Sequence, residues 1–518
     1  MLNWLKNAIF YEIYPQTFAD SNADGIGDFQ GIIDHLDYIK ELGCNAIWMN
    51  PCFESPFNDA GYDVADYCKA APRYGTNADL KRLFDEVHKR DMHILLDLVP
   101  GHTSWDHEWF KESAKPEKNE YTGRYVWTDD AWKDFSGVGS IMGFLRGYSQ
   151  RNGCVAVNFY CNQPALNYGF YEITDPSWQL PMDSPEALST REAIKDIMRF
   201  WLKMGCDGFR VDMAGSLVKN DPEQKGTIEL WRDVHEFLKK EFPDAAMISE
   251  WGQPDRSLQS GYHMDFMLHF GPSHYPDMFH ADNPYFSREG KGNAYEFIEY
   301  YKKCYEPTNG KGMICVPSGN HDMERITKWL DPEEVKIVFA FILSLPGAPF
   351  IYYGDEIGMN YLADITSVEG GYIRTGSRTP MQWDNTVNDG FSQAKPEELY
   401  IPMDSDPDRP TVEKQMADKN SIYHEVKKLI DIRQNYPVLQ SEALIEYVYC
   451  EPYAYPLVYR RKDENTSVLV VLNPSGKEAA FPYDGELGNV IYQNGNDLKV
   501  ENGTMTVPAA TAVFVYEK

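Results

Sequence analysis

The sequence predicts an α/β protein: a closed (β/α)8 barrel, with a domain inserted after the third strand and a C-terminal antiparallel β-domain. Three observations carry this. Short apolar runs alternate with amphipathic stretches from residue 8 to about residue 360. The alternation is broken once, between Ser104 and Leu180, by a segment rich in Trp, Tyr, Gly, Asn and Asp with little helical period. After Asn435 the chain turns to short runs of period two separated by Gly and Asn turns.

The elements follow in order. A strand-like segment, Ala8 to Tyr14, leads into an amphipathic helix at Ile32 to Leu42 that stops at Gly43, and a strand follows at Ala46 to Asn50. The pattern repeats with a helix at Asn77 to Arg90 and a strand at His93 to Val99, then a helix at Arg191 to Lys203 and a strand at Gly208 to Val211. A helix at Thr227 to Glu241 precedes a strand at Ala246 to Ser249; later come a strand at Met313 to Val316, a helix at Glu333 to Leu345 and a strand at Pro349 to Tyr352. About eight such units suit a closed barrel, with parallel strands joined by right-handed crossovers. The long helix Ser421 to Asn435 ends this part, and runs such as Ser467 to Leu472 and Thr511 to Tyr516 belong to the β-domain. The expected domains are residues 1–104 with 181–438 (barrel), 105–180 (insertion, over the barrel mouth) and 439–518 (β-sandwich).

Bulk composition excludes several functions. With 79 acidic against 49 basic side chains, a net charge of −30 in 518 residues leaves no basic excess to neutralise phosphates, so no nucleic-acid partner is expected. No stretch of 18 apolar residues is present, and no membrane partner is expected. The 34 Tyr, 26 Phe and 12 Trp would suit flat amphipathic ligands such as sugars as well as a core. Nine scattered cysteines without a CxxC pair look like reduced thiols. With no signal-like N-terminus the expected location is cytoplasmic. Monomer and homo-oligomer both stay open.

Gly208-Phe209-Arg210-Val211-Asp212 places an acid and an arginine two positions apart, hence on one face of a strand. The guanidinium keeps such an acid ionised, either as a structural pair or as a nucleophile. Other strand ends carry similar groups: Asp97 and His102 after the third, Glu250 before Trp251 after the fifth, His321 and Asp322 after the seventh. In a barrel these ends share one rim. Two carboxyls whose environments separate their pKa values are what glycoside hydrolysis needs. Asp212 is expected ionised. Glu250, between an apolar strand and Trp251, is expected protonated as general acid. Asp322 would grip substrate hydroxyls, with His102 and His321 as neutral partners.

These segments, Asp97-Leu98-Val99-Pro100-Gly101-His102, Gly208-Phe209-Arg210-Val211-Asp212, Ser249-Glu250-Trp251-Gly252 and Asn320-His321-Asp322, together resemble the α-amylase family, glycoside hydrolase family 13. The resemblance implies a retaining double displacement with Asp212 as nucleophile, Glu250 as acid/base and Asp322 as transition-state stabiliser. It implies substrate contacts from Asp59, Tyr62, His102, Arg210 and His321. Gln163-Pro164-Ala165-Leu166-Asn167 is similar to the QPDLN signature of the oligo-1,6-glucosidase and α-glucosidase branch, with Ala165 replacing its aspartate, and Arg378 to Asp384 resembles another segment of that branch. The Lys-His that holds the leaving sugar in endo-acting amylases is Gly215-Ser216 here.

The expected activity is α-glucosidase-like cleavage of malto-oligosaccharides, at α-1,4 and α-1,6 bonds, through a covalent glucosyl-Asp. The alternatives are a glucosyltransferase or isomerase of trehalose synthase or sucrose-converting type, an endo-acting amylase or neopullulanase, and a non-catalytic binding barrel. No organic cofactor is expected. Asp20 to Asp28 spaces oxygen ligands at alternate positions around a glycine, as an Asx-rich turn or a cation loop would. The resemblance implies a structural calcium or magnesium there, held by Asp20, Asn22, Asp24, the Ile26 carbonyl and Asp28. A second calcium site, which family members build with an Asn at the place of Gly101, is expected to be absent.

Overall fold

The computed structural model describes residues 2–130, 132–133, 143–147, 149–308, 312–370 and 372–518; residues 131, 134–142 and 148 of the expected insertion lie outside these. Eight parallel strands form one sheet: β1 (Phe10–Ile13), β2 (Ala46–Met49), β3 (His93–Leu98), β4 (Gly208–Val211), β5 (Ala246–Ser249), β6 (Met264–Phe266), β7 (Met313–Cys315) and β8 (Phe350–Tyr352). They pair in chain order, and β8 pairs with β1. The ring closes between β7 and β8 through a parallel bridge of Pro317 to Phe350, where the Ser318 N–H donates to the Phe350 carbonyl at 2.9 Å. A closed barrel removes the exposed sheet edges.

Side-chain alternation sorts the strands into two cores. Phe10, Trp48, Leu95, Ile248, Phe266, Cys315 and Phe350 fill the lumen. Tyr11, Ile47, Leu96, Phe209, Val211 and Ile351 pack outward, under the helices. The inward charged groups Glu12, Asp97 and Arg210 sit towards the C-terminal strand ends. Asp97 and Arg210 are register partners across β3 and β4.

Local structure departs from expectation at three places. The first helix is two, Phe29–Asp34 and Leu36–Leu42, because at His35 (φ −112°, ψ 8°) the backbone N–H turns to Ile32 O and the ring binds Gly31 O and stacks on Trp383 at 3.9 Å. The helix expected from Arg191 starts at Pro185: Ser184 caps it by accepting from Ala187 N–H, and proline suits the first helical position. Strand β6 has three residues and the helix before it, Pro254–Ser257, has four, too few for either to show a period.

The insertion forms a small antiparallel sheet from Trp127–Thr128, Gly143–Arg146 and Cys154–Val157. It is tied to the barrel rim by a His102 to Ala165 bridge and by Leu166 N–H to Gly101 O at 3.1 Å. The C-terminal strands make a five-stranded and a three-stranded antiparallel sheet around Val458, Leu469, Phe481, Met505 and Val515. Helix Pro332–Ser344, started by an Asp331–Glu334 capping box, is buried on nearly every side and contacts both the barrel helix Ile422–Asn435 and the five-stranded sheet. No helix among the described residues is long and apolar enough to cross a membrane.

Candidate active site

One guanidinium organises the barrel mouth. Arg210 Nη1 donates to Asp97 Oδ1 and Oδ2 at 3.0 and 3.2 Å and to Asp212 Oδ1 at 3.1 Å, while Nη2 lies 3.1 Å from Glu250 Oε2. The Trp48 ring faces the cation at 4.9 Å. Three ionised acids against one cation in a dry site would leave two uncompensated charges, so a proton is retained. Burial first, then the Glu250 charge, push Asp212 well above the usual carboxylate range against the pull of Arg210. Against the expectation that Arg210 keeps Asp212 ionised, burial outweighs the guanidinium. The same guanidinium also holds Glu250, at 3.1 Å from Nη2. Glu250 Oε2 also accepts the Met213 N–H at 2.9 Å, and Met213 reaches it from a left-handed backbone, φ +43°.

Asp322 is the opposite case. Its Oδ1 accepts from Arg374 Nη1 at 2.9 Å and Arg378 Nη2 at 3.0 Å. Burial would raise its pKa, yet it is held well below the carboxylate range. His321, next to it, is itself driven neutral by burial, so the two arginines do the holding. Arg374 also donates to Asp59 Oδ1 at 3.2 Å and to Tyr160 Oη at 2.8 Å, and Gln163 Nε2 donates to Asp59 Oδ2 at 2.7 Å. Burial, opposed by Arg374 and Arg378, lifts Asp59 to about 6.

Both expected histidines are neutral imidazoles. Burial lowers His102 to about 4; its Nε2 lies 2.9 Å from Tyr62 O, and Nδ1 lies 3.0 Å from Asn158 Nδ2. His321 stacks on the Tyr62 ring at 5.3 Å, with Nε2 2.6 Å from the phenol oxygen. Tyr62 in turn donates to Asp97 Oδ2 at 3.0 Å.

A cavity of about 370 Å³ opens over these groups, lined by Asp59, Tyr62, His102, Asp212, Glu250 and Asp322 among the expected residues. Arg210 and His321 lie one layer behind the wall, touching the acids rather than the cavity. The sequence reading missed Arg374, Phe159, Tyr160, His269 and Phe270, which also line it. Phe159 and Phe270 are about half exposed, at 45% and 55%. They come from irregular loops, where no periodicity marks them.

In the first loop Asp20 accepts N–H bonds from Asn22, Ala23 and Gly25 and the Ser392 hydroxyl. Asn22 and Asp24 accept from Asp24 and Ile26, and Asp28 accepts from Ser21 and caps the next helix. These bonds order the turn and leave carboxylate lone pairs for a hard cation. Burial, with the Asp20 charge adding to it, raises Asp28, a strain that a cation would relieve. The donor set fits calcium or magnesium. Among the described residues, the three metal-capable side chains that meet within 4.8 Å are His274, Asp277 and Glu296 instead. Asn158 packs next to Gly101, and the buried Lys219 Nζ lies 3.5 Å from its Oδ1 and donates to Ser216 O at 3.0 Å.

Comparison with known proteins gives the family. The α-amylase catalytic domain family matches residues 12–442. The chain is 30% identical to the oligo-1,6-glucosidase of Parageobacillus thermoglucosidasius, over 92% of each chain. It is 31% identical to a trehalose synthase/amylase of Mycobacterium tuberculosis, over 93% of this chain and 83% of that one. Among solved structures, the trehalulose synthase of Pseudomonas mesoacidophila superposes with a TM-score of 0.81 at 25% identity, over the full length of both.

Proposed function

Because the chain belongs to the α-amylase family and is a glycoside hydrolase, we propose that it is a retaining, exo-acting α-glucosidase that removes glucose from short malto-oligosaccharides. The observation that carries this is that Asp212 and Glu250 each lie 3.1 Å from the one Arg210 guanidinium and line the same cavity. Retaining enzymes hold their two carboxyls about 5–5.5 Å apart, and inverting ones about 6.5–9.5 Å to admit a water. Two carboxyls bound by one guanidinium fork belong with the closer class. Asp212 attacks the anomeric carbon while Glu250, as general acid, passes a proton to the glycosidic oxygen and the aglycone leaves. Glu250, now ionised, takes a proton from water, whose oxygen displaces Asp212 and releases the sugar with its configuration kept. Asp322, fixed as an anion by Arg374 and Arg378, stabilises the positive charge that develops on the ring.

The Asp59–Arg374 bridge supports exo action, because it ties the far wall of the cavity across to Asp322 and leaves room for a chain end rather than a passing chain. Arg374 is the one cation among the described lining residues, and it already serves two carboxylates, which disfavours a phosphorylated sugar. Maltotriose and p-nitrophenyl α-glucoside test the reading. Glucose release is expected, falling at least about 10³-fold in Asp212→Asn. No glucose from any α-1,4 or α-1,6 oligosaccharide would overturn it.

A second reading, glucosyl transfer to a sugar acceptor, is favoured by the exposed Phe159 and Phe270 at the mouth, which could hold an acceptor ring as readily as a leaving one. Product analysis at high maltose or sucrose separates the two. We also propose that the Asp20–Asp28 loop holds a structural calcium or magnesium. A chelator should then lower the melting temperature, and either ion should restore it; an unchanged melting temperature would contradict the site. Nine free thiols support a reducing, cytoplasmic location.

A further inference from the structure

Glu12 ends the inward face of β1 fully buried and has no part in the chemistry above. Its Oε1 lies 2.7 Å from His321 Nδ1 and accepts from Asn50 Nδ2 at 3.2 Å, while Oε2 is buried with no hydrogen-bond partner. The proton positions around it follow from its neighbours. Tyr62 has one hydroxyl proton, and it goes to the acceptor-only carboxylate of Asp97 at 3.0 Å. The Tyr62 oxygen must therefore accept at its 2.6 Å contact with His321 Nε2, so Nε2 carries the imidazole proton. A neutral ring then presents a lone pair at Nδ1, which faces Asn50 Nδ2 at 3.0 Å and the Glu12 carboxyl oxygen at 2.7 Å; an oxygen held that close to a lone pair has to be a donor as well. Only a protonated carboxyl can donate. The partnerless Oε2 agrees, since a buried anion with one unserved oxygen is far costlier than a buried acid.

We propose that Glu12 is a positioning residue that acts through His321: its neutral carboxylic acid donates to Nδ1 and locks the ring with its proton on Nε2, facing Tyr62 and Asp322. Asp322 Oδ2 lies 3.4 Å from that nitrogen, so the lock turns the protonated, electropositive edge of the ring rather than a lone pair towards the third acid. The charged and titratable groups facing Glu12 are His321, Arg210, Asp97 and Asp322, with the Tyr275 and Tyr352 phenols on the neighbouring elements. Burial outweighs Asn50 and Arg210, which favour the anion, and Asp97 and Asp322 add to burial in keeping the acid neutral.

Two variants and one spectrum test this. Glu12→Gln retains a donor of the same shape, so kcat and the pH profile should stay within about threefold of the parent. Glu12→Met fills the space without a donor, and kcat should fall at least about tenfold with KM changing less. An equal loss in both variants, a shifted pH profile in Glu12→Gln, or full activity in Glu12→Met would overturn the proposal. Independently, the 15N spectrum of histidine-labelled protein, with the His321 signals assigned by their loss in His321→Asn, should show the proton on Nε2. A proton on Nδ1 would overturn it. The activity arm rests on the glucosidase reading; the spectrum needs no substrate, so a protein inactive on glucosides would sink that reading and leave this one standing.

Discussion

At Arg210 three carboxyl groups meet one cation, and the planar fork is what lets a single side chain reach all of them. Arg210→Lys substitutes a point charge that cannot span Asp97, Asp212 and Glu250. We expect kcat/KM to fall at least about 10²-fold and stability to drop by about 3 kcal/mol, read by kinetics and by denaturant unfolding. Arg374→Ala removes the bridge to Asp59 and one of the two cations on Asp322. Affinity for maltose should weaken about tenfold, a loss of about 1.4 kcal/mol, and longer oligosaccharides should be favoured relative to it; an unchanged chain-length profile would argue against the bridge as the closing wall. The acids were legible because each ends an apolar strand, where a charge is conspicuous. Arg374 was not, since the short 3-10 helix Tyr372–Ser377 that carries it is too brief to show a period, and the upward shift of Asp212 was not, since it depends on burial and on a Glu250 side chain from the neighbouring strand.

Among the elements, the short helix Glu108–Ser113 shows how burial sets a pH response. His107 caps it by accepting the Trp109 N–H at Nδ1, and burial, aided by Arg124 and Lys111, lowers the ring to about 3. The folded pKa lies below the unfolded value of about 6.5. The neutral cap is therefore fully compatible with the fold above pH 6.5, and stability is lost as pH falls from there towards 3, because the unfolded chain takes a proton that the fold refuses. His107→Asn keeps a capping acceptor without the titration. Its melting temperature relative to the parent should rise between pH 8 and pH 4.5, by about 2 kcal/mol in stability; a constant difference would contradict the assignment. The long helices and most strands could be read from period and caps. Strand β6, three residues after a four-residue helix, could not, and it is defined by its pairing with β5 and β7.

Across the whole molecule, helix Pro332–Ser344 and two buried arginines join the barrel to the C-terminal sandwich. Arg433 donates to the carbonyls of Leu343, Leu345 and Gly347, and Arg461 to those of Ser344, Leu439, Gln440 and Ala443. Phe341 meets Tyr459 edge-on at 6.4 Å. Arg461→Met would strand these carbonyls at about 3 kcal/mol, lowering the denaturant midpoint and exposing residues 439–444 to protease first; a protease pattern unchanged from the parent would show that the junction is held elsewhere. The sequence signalled both domains through their different periods, but not the arginines that join them, because their partners are backbone carbonyls.

Retention through a double displacement requires Asp212 to form a bond to the sugar. Incubation with 5-fluoro-α-glucosyl fluoride, which slows the second displacement, followed by peptide mass spectrometry, reads this directly. The predicted result is a fluoroglucosyl adduct on the peptide that carries Asp212, lost in Asp212→Asn. An adduct on another residue, or release of the inverted anomer from an unlabelled and active enzyme, would contradict it.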